Sequence, residues 1–192
     1  GRAVSPLPFD GRLLGRDFWH VRPPLPEFMV LGGMMVGKAD IAALLNRYRS
    51  WRDFKHSARL VLRYGWDLFR YPRGTRLVMG NALVARLFYS LRQARVDIRF
   101  GWRLQTLDLE RESGRVGARF ESPEGVRSLC ASRGVVLATG GVGHHETLRR
   151  ELDDSGLTVY PIAPPSVRGE GLTAARNAGA VIERHAGSFF WQ

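Results

Sequence analysis

The chain has 192 residues, 44% of them hydrophobic, and 29 Lys and Arg against 18 Asp and Glu. That length suits one domain or one and a fraction, and the composition can build a core. No apolar run approaches the roughly 20 residues of a membrane span, and the lone Cys130 rules out an intramolecular disulfide or a cysteine-cluster zinc site.

The charge is uneven. Residues 1–95 carry 17 basic and 6 acidic side chains, a net of +11, whereas residues 96–192 carry 12 of each. An Arg-rich half can meet nucleic acid, an anionic membrane, an acidic partner or a phosphorylated ligand, or it can be plain solvated surface. The start GRAVSPLPFD lacks the apolar core of a secretory signal. A single cysteine fits a reducing cytoplasm, the expected location. A start without Met and the apolar finish SFFWQ lead to the expectation of a piece of something larger.

In chain order, SPLPFDG and RPPLPEF set five Pro into a turn-rich lead-in over residues 1–28. GGMMVGKAD (32–40) reads at first as a phosphate loop between a strand and a helix. That motif needs Ser or Thr after the Lys to reach magnesium. Ala39 has no ligand atom, and Met34 and Met35 crowd the path the amides would offer an anion. A tight glycine turn is the simpler reading, with Asp40 capping the helix DIAALLNRYRS (40–50), which sets Ile41, Leu44, Leu45 and Tyr48 on one side.

WRDFKHSARLVLRYGWDLFR (51–70) predicts a second helix. Trp51, Phe54, Ala58, Val61 and Leu62 share a face; Lys55, Arg59, Arg63 and Arg70 lie off it. Gly65 weakens its middle by about 1 kcal/mol relative to Ala. A basic amphipathic helix can lie on a membrane surface, but burial of the apolar stripe within the protein is the favoured expectation. His56 has no second His or carboxylate at helical ligand spacing and reads as a surface or packing residue. YPRGTR (71–76) is a turn. Gly80 and Asn81, the latter as cap, open a third helix with Leu83, Leu87 and Leu91 spaced by four.

The second half changes rhythm. VDIRF (96–100) predicts a short strand. RLQTLDLE (103–110), the turn ESGR, VGARFES (116–122), the turn PEG and VRSLCAS (126–132) predict a three-stranded antiparallel meander. In GVVLATGGVG (134–143), Val135, Val136 and Leu137 read as a buried strand apolar on both faces, as a central parallel strand is. HETLRREL (145–152) is helical. A helix over 172–179 follows Gly169-Glu170-Gly171 and stops at Gly179, and AVIE (180–183) resumes as a strand.

Spacing alone yields no catalytic set. His144 and His145 are adjacent and point apart, and no H-E-x-x-H, G-x-S-x-G or carboxylate cluster occurs, so no metal is expected. Two glycine sites are better candidates. Thr139-Gly140-Gly141 at a strand end lets a ligand approach bare backbone. Gly169-Glu170-Gly171 sets backbone N–H groups at a helix start.

Helix GNALVARLFYSLRQARVDIRF, then the meander, then RGVVLATGGVG, then RGEGLTAARNAGA resembles the flavin-binding domain of the fumarate reductase, succinate dehydrogenase and 3-ketosteroid dehydrogenase superfamily. PFDGRLLG and RPPLPEF lean toward its ketosteroid dehydrogenase side. The match covers residues 78–186 well and 1–77 loosely. It implies an α/β chain: a partial FAD/NAD(P)-binding, Rossmann-like portion with the meander at 80–192, preceded at 1–79 by the Pro-rich lead-in and a basic helical segment. It implies FAD as cofactor. By motif, a backbone group of Leu104 meets the adenine. Ala138, Thr139, Gly140 and Gly141 line the dinucleotide, and Glu170, between Gly169 and Gly171, is the acidic flavin-contacting position. Arg168 and Glu170 depart from the usual Thr and Asp, and Trp102 stands where Thr is frequent. No G-x-G-x-x-G occurs in the chain; the resemblance sets that loop and the acidic ribose anchor ahead of it, so Lys38 gains no phosphate role.

The function so implied is that of an internal portion of an FAD-dependent oxidoreductase. The intact form would pass hydride between the flavin and a carbon–carbon bond beside a carbonyl of a small molecule, steroid-like or another enone or dicarboxylate. The piece alone is expected to be inactive and to bind FAD poorly. Its catalytic residues are unassigned; Tyr48, Tyr64, Tyr71 and Tyr89 could donate a proton, though packing is the plainer reading of each. The alternative is a basic module that binds RNA, DNA or anionic lipid with steep salt dependence. Aromatic residues on the apolar stripe, rather than among exposed arginines, argue against nucleic acid. A third reading has the basic helices docking a partner, with peripheral membrane contact among the options.

Overall fold

In this computed structural model the described residues are 6–110, 114–152 and 160–182. The chain divides into two compact units, Gly1–Asp97 and Ile98–Gln192.

The first unit is built on short strands and three helices. Phe9–Asp10 (β1) pairs antiparallel with Arg76–Leu77 (β4). A 3-10 segment over Gly11–His20 follows β1 and breaks at Gly15. Phe18 is fully buried within it and packs edge-on against Tyr71, with ring centroids 5.4 Å apart. A side chain at position 11 would come within 2.5 Å of the Phe18 ring, so only Gly fits there. Phe9, Leu14, Val21, Met35, Leu77, Val78, Ala82 and Ala85 complete this core.

Met29–Val30 (β2) and Met34–Met35 (β3) form a hairpin, turned by left-handed Leu31 and Gly32. Lys38–Leu45 (α1) follows it. Gly33 to Val36 are buried and Lys38 is exposed, so these amides serve the core and not an anion. Asp40 is not the cap of α1. Gly37 holds that position, and Asp40, three residues on, reaches back to accept the Gly37 N–H at 2.8 Å.

Trp51–Leu68 (α2) is a helix as expected, but it buries the other face. Ser57, Leu60, Tyr64 and Asp67 point inward, while Trp51, Phe54, Val61 and Leu62 are exposed. Polar anchoring decides this. Asp67 accepts the Thr75 N–H and hydroxyl, each at 2.8 Å, and the Tyr64 hydroxyl donates to the Leu31 carbonyl at 2.8 Å. The two Asp67 bonds satisfy the N–H and hydroxyl of fully buried Thr75, and the third gives the buried Tyr64 hydroxyl a partner. Met79–Gln93 (α3) packs on β1, β4 and the 3-10 segment. Asn81 lies inside α3 and donates to the Arg22 carbonyl instead of capping.

In the second unit, Arg103–Glu110 (β5), Arg115–Ser122 (β6) and Gly125–Ala131 (β7) form the antiparallel meander in the order β5-β6-β7. Part of the first turn, residues 111–113, lies outside the described residues. A register shift between Leu104 and Thr106 marks a bulge in β5. Glu146–Leu152 (α4) and Glu170–Asn177 (α5) complete the unit, with α5 against β5.

Three predicted strands do not form. Residues 96–100, 135–137 and 180–182 lack ladder pairing among the described residues, and Glu183 falls outside them. Val136 is 92% exposed. A central parallel strand needs neighbours on both sides, and the described residues supply none to this segment.

Candidate functional site

The two glycine loops singled out by sequence adjoin each other within the second unit. Gly171 opens α5 so close to Thr139 that a methyl group at 171 would overlap the Thr139 hydroxyl. Gly140 (φ 80°) would meet Val167 at 3.2 Å, and Gly169 (φ 74°) would meet Val142 at 2.9 Å, if either carried a Cβ. Both need the left-handed backbone that glycine tolerates. The His144 N–H donates to the Val167 carbonyl at 3.1 Å, and the His144 ring contacts the Ala163 carbonyl at 2.6 Å. His145 Nδ1 accepts from the Leu148 N–H at the start of α4. The two imidazoles therefore serve different loops, and no metal cluster occurs among the described residues.

Leu104 comes to the same region through β5, because α5 packs on that strand. The neighbouring Arg103 reaches Glu170 at 3.3 Å. Arg176 at the other end of α5 grips Glu151 through two nitrogens, at 3.0 and 2.8 Å. α5 is thus tied at both ends, to β5 and to α4. Arg103 was missed by sequence reasoning: its partner is 67 residues away, and no local pattern joins them.

Of the four candidate tyrosines, Tyr64 is hydrogen-bonded in the core, Tyr71 packs on Phe18 and Tyr89 on Phe9. Tyr48 is exposed, with the Arg47 guanidinium over its ring. His56, read as a surface or packing residue, is exposed and meets a carboxylate from another element: its Nε2 lies 2.8 Å from Asp40. Arg76 joins the same carboxylate at 2.8 Å. Burial alone would raise the Asp40 pKa, but the Gly37 amide, His56 and Arg76 together hold it below its ordinary value.

A meander followed by glycine-opened loops that converge on one helix start leaves bare main chain suited to a dinucleotide. The chain belongs to the FAD binding domain family, whose model matches residues 7–192. It is 31% identical over 191 residues to a 3-oxosteroid 1-dehydrogenase of Mycolicibacterium smegmatis, a match covering 95% of this chain and 32% of that protein. It is 30% identical over 153 residues to the 4-oxocyclohex-2-ene-1-carboxylate 5-dehydrogenase of Sinomonas cyclohexanicum, covering 79% of this chain and 25% of the relative. Its fold matches the crystal structure of 3-ketosteroid delta1-dehydrogenase from Sterolibacterium denitrificans in complex with 1,4-androstadiene-3,17-dione. That match has a TM-score of 0.73 and 25% identity, over 94% of this chain and 33% of the other. The chain spans about a third of the length of such relatives.

The residues present fit part of an FAD. Ala138 to Gly141 are exposed, and a Cβ at Gly141 would meet nothing within 4 Å. Main chain there is open to solvent, as close approach of a flat ligand requires.

Proposed function

We propose that described residues of the second unit line part of the FAD of an oxidoreductase whose substrate carries a ketone on a ring. When bound, FAD supplies the two-electron chemistry, exchanging hydride with a carbon–carbon bond beside that ketone. This chain's share is holding and orienting. Leu104 offers backbone to the adenine from the bulged edge of β5. Ala138, Thr139, Gly140 and Gly141 present bare main chain to the dinucleotide, and Gly169, Glu170 and Gly171 offer the first N–H groups of α5. Arg103 positions Glu170 by pairing with it. The phosphate cradle is assigned outside these 192 residues, since no G-x-G-x-x-G occurs within them.

The observation that carries this reading is the packing of the Thr139 side chain onto Gly171, which makes one surface of two loops far apart in sequence. The ring ketone rests on the names of the relatives, a 3-oxosteroid and a 4-oxocyclohexene dehydrogenase. A cytoplasmic location is part of the proposal, on the strength of the single cysteine.

The test is flavin binding, followed by absorbance and fluorescence. The 192-residue chain is expected to bind FAD weakly, and a polypeptide extended to the full length of the relatives to hold it in equal stoichiometry. Gly141→Trp in that polypeptide fills the open side and is expected to lower FAD affinity at least about tenfold while far-UV circular dichroism stays unchanged. Unchanged affinity would overturn the placement, and tight binding by the 192-residue chain would overturn the external cradle.

A further inference from the structure

A cleft of about 360 Å³ opens in the first unit between the 3-10 segment Gly11–His20 and the end of α3. Leu13, Leu14 and Asp17 line it from the segment; Tyr89, Arg92 and Arg95 line it from the helix and its exit. Asp17 Oδ2 lies 2.8 Å from Arg92 Nε, which ties the two walls together. Arg95 is exposed, and among the described residues it has no carboxylate partner. The backbone at Arg95 singles this cleft out. α3 ends in a Schellman motif: the Val96 N–H donates to the Leu91 carbonyl at 3.1 Å, and the Arg95 N–H to the Arg92 carbonyl at 3.0 Å. That motif needs a left-handed residue just past the cap, a position that glycine usually fills. Arg95 adopts it instead, with φ 55°, at a cost that glycine would not carry. Backbone strain of this kind clusters at ligand sites, and here it falls on a side chain that lines the cleft.

We propose that this cleft binds a small organic acid by its oxyanion, a carboxylate or a phosphate ester, held by Arg95 and Arg92. A guanidinium meets either oxyanion with paired N–H bonds. The C-terminal end of a helix repels anions, but two of its last carbonyls are already answered by the Val96 and Arg95 N–H groups. Two guanidiniums in the lining also outweigh the one carboxylate, Asp17. Leu13, exposed, and Leu14 beside it offer an apolar wall for the rest of the ligand. Tyr89, its ring packed on Phe9, and Gln93 add neutral polar groups. The volume is in the range of small-molecule sites. All of these residues belong to the first unit, so the site stands or falls independently of the flavin reading.

The test is titration calorimetry of the 192-residue chain with sodium benzoate and, separately, with inorganic phosphate. Both are run in ~0.15 M NaCl, where exposed charges more than about 8 Å apart are largely screened. Saturable binding at one site is expected. Benzoate alone would mark the ligand as a carboxylic acid, phosphate alone as a phosphate ester. Benzyl alcohol, which keeps the ring and lacks the oxyanion, is expected not to bind. Arg95→Gly is expected to weaken anion binding at least about tenfold, while the thermal midpoint holds or rises because glycine accepts the left-handed backbone. An arginine with a structural role alone would show the reverse, a lower midpoint and unchanged binding. Leu13→Glu places a like charge on the exposed wall and is expected to weaken binding as far. Arg133→Gln removes the same charge from an exposed site in the second unit and is the control that leaves affinity unchanged. Absence of saturable binding of both anions overturns the proposal, as does unchanged affinity in both Arg95→Gly and Leu13→Glu. Benzyl alcohol binding as tightly as benzoate, or an equal loss in Arg133→Gln, overturns it too. So does anion binding that disappears in a polypeptide extended to the full length of the relatives.

Discussion

The two units are stabilised by different means. The first closes a core around Phe18 and Leu77, both fully buried, and threads it with buried polar anchors at Asp40, Asp67 and Arg73. In the second, the described residues bury only Ala118, Leu148 and Ala174 among hydrophobics. It is held by the strand ladder of the meander, by close approaches at glycines and by ion pairs on α5. The first unit buries side chains in a core; the second leaves main chain exposed at its glycine loops. A site made of backbone leaves little side-chain volume with which to build a core.

The sharpest way to break this contrast is to empty the first core. Phe18→Ala is expected to cost about 3–5 kcal/mol in chemical denaturation. A cost under about 1 kcal/mol would mean that this core is not what holds the unit.

Next is the buried carboxylate. Asp40→Ala leaves Arg76 and the Gly37 amide without their partner and is expected to cost about 3 kcal/mol at neutral pH. Its pH dependence has a definite sign. The folded pKa of Asp40 lies below the unfolded value of about 3.9. The contribution is therefore complete above that value and is lost as pH falls through the folded one. Between about pH 5 and pH 2 the variant's stability is expected to fall less steeply than the parent's. Some acid sensitivity remains, because Asp10 is also held below its ordinary value: burial would raise it, and Arg12 and Arg63 more than offset this.

Gly171→Ala tests the second unit on its own terms. The added methyl collides with Thr139, and a loss of about 2 kcal/mol is expected, together with weaker FAD binding. The smallest effect belongs to Val136→Ser. On an exposed side chain it should stay within about 0.5 kcal/mol in the 192-residue chain; a larger loss would show that the second unit has a core after all.

The sequence made some of this legible and hid the rest for physical reasons. The meander could be read because its signals are local: alternation along Arg103–Glu110, and a turn at Pro123 and Glu124 between paired Ser122 and Gly125. The glycines at 140, 169 and 171 were visible as residues, and the structure adds that they adjoin. The buried face of α2 was misread because the helix has two usable faces. The choice between them rests on Thr75 and Leu31, which lie on other elements. Val135 to Leu137 have the composition of a strand, but pairing depends on neighbours that the segment cannot encode. Arg103 and His56 each meet their carboxylate across a tertiary contact.

The unpaired run at 134–140 also bears on how the chain behaves in concentrated solution. Main chain without ladder partners among the described residues, beside outward Val135 and Val136, is a template on which another molecule can add a strand. The stretch VVLAT has no charge and no Pro, the composition that forms dry cross-β interfaces. A partner strand laid on this run would therefore guard against aggregation as well as add a structural neighbour.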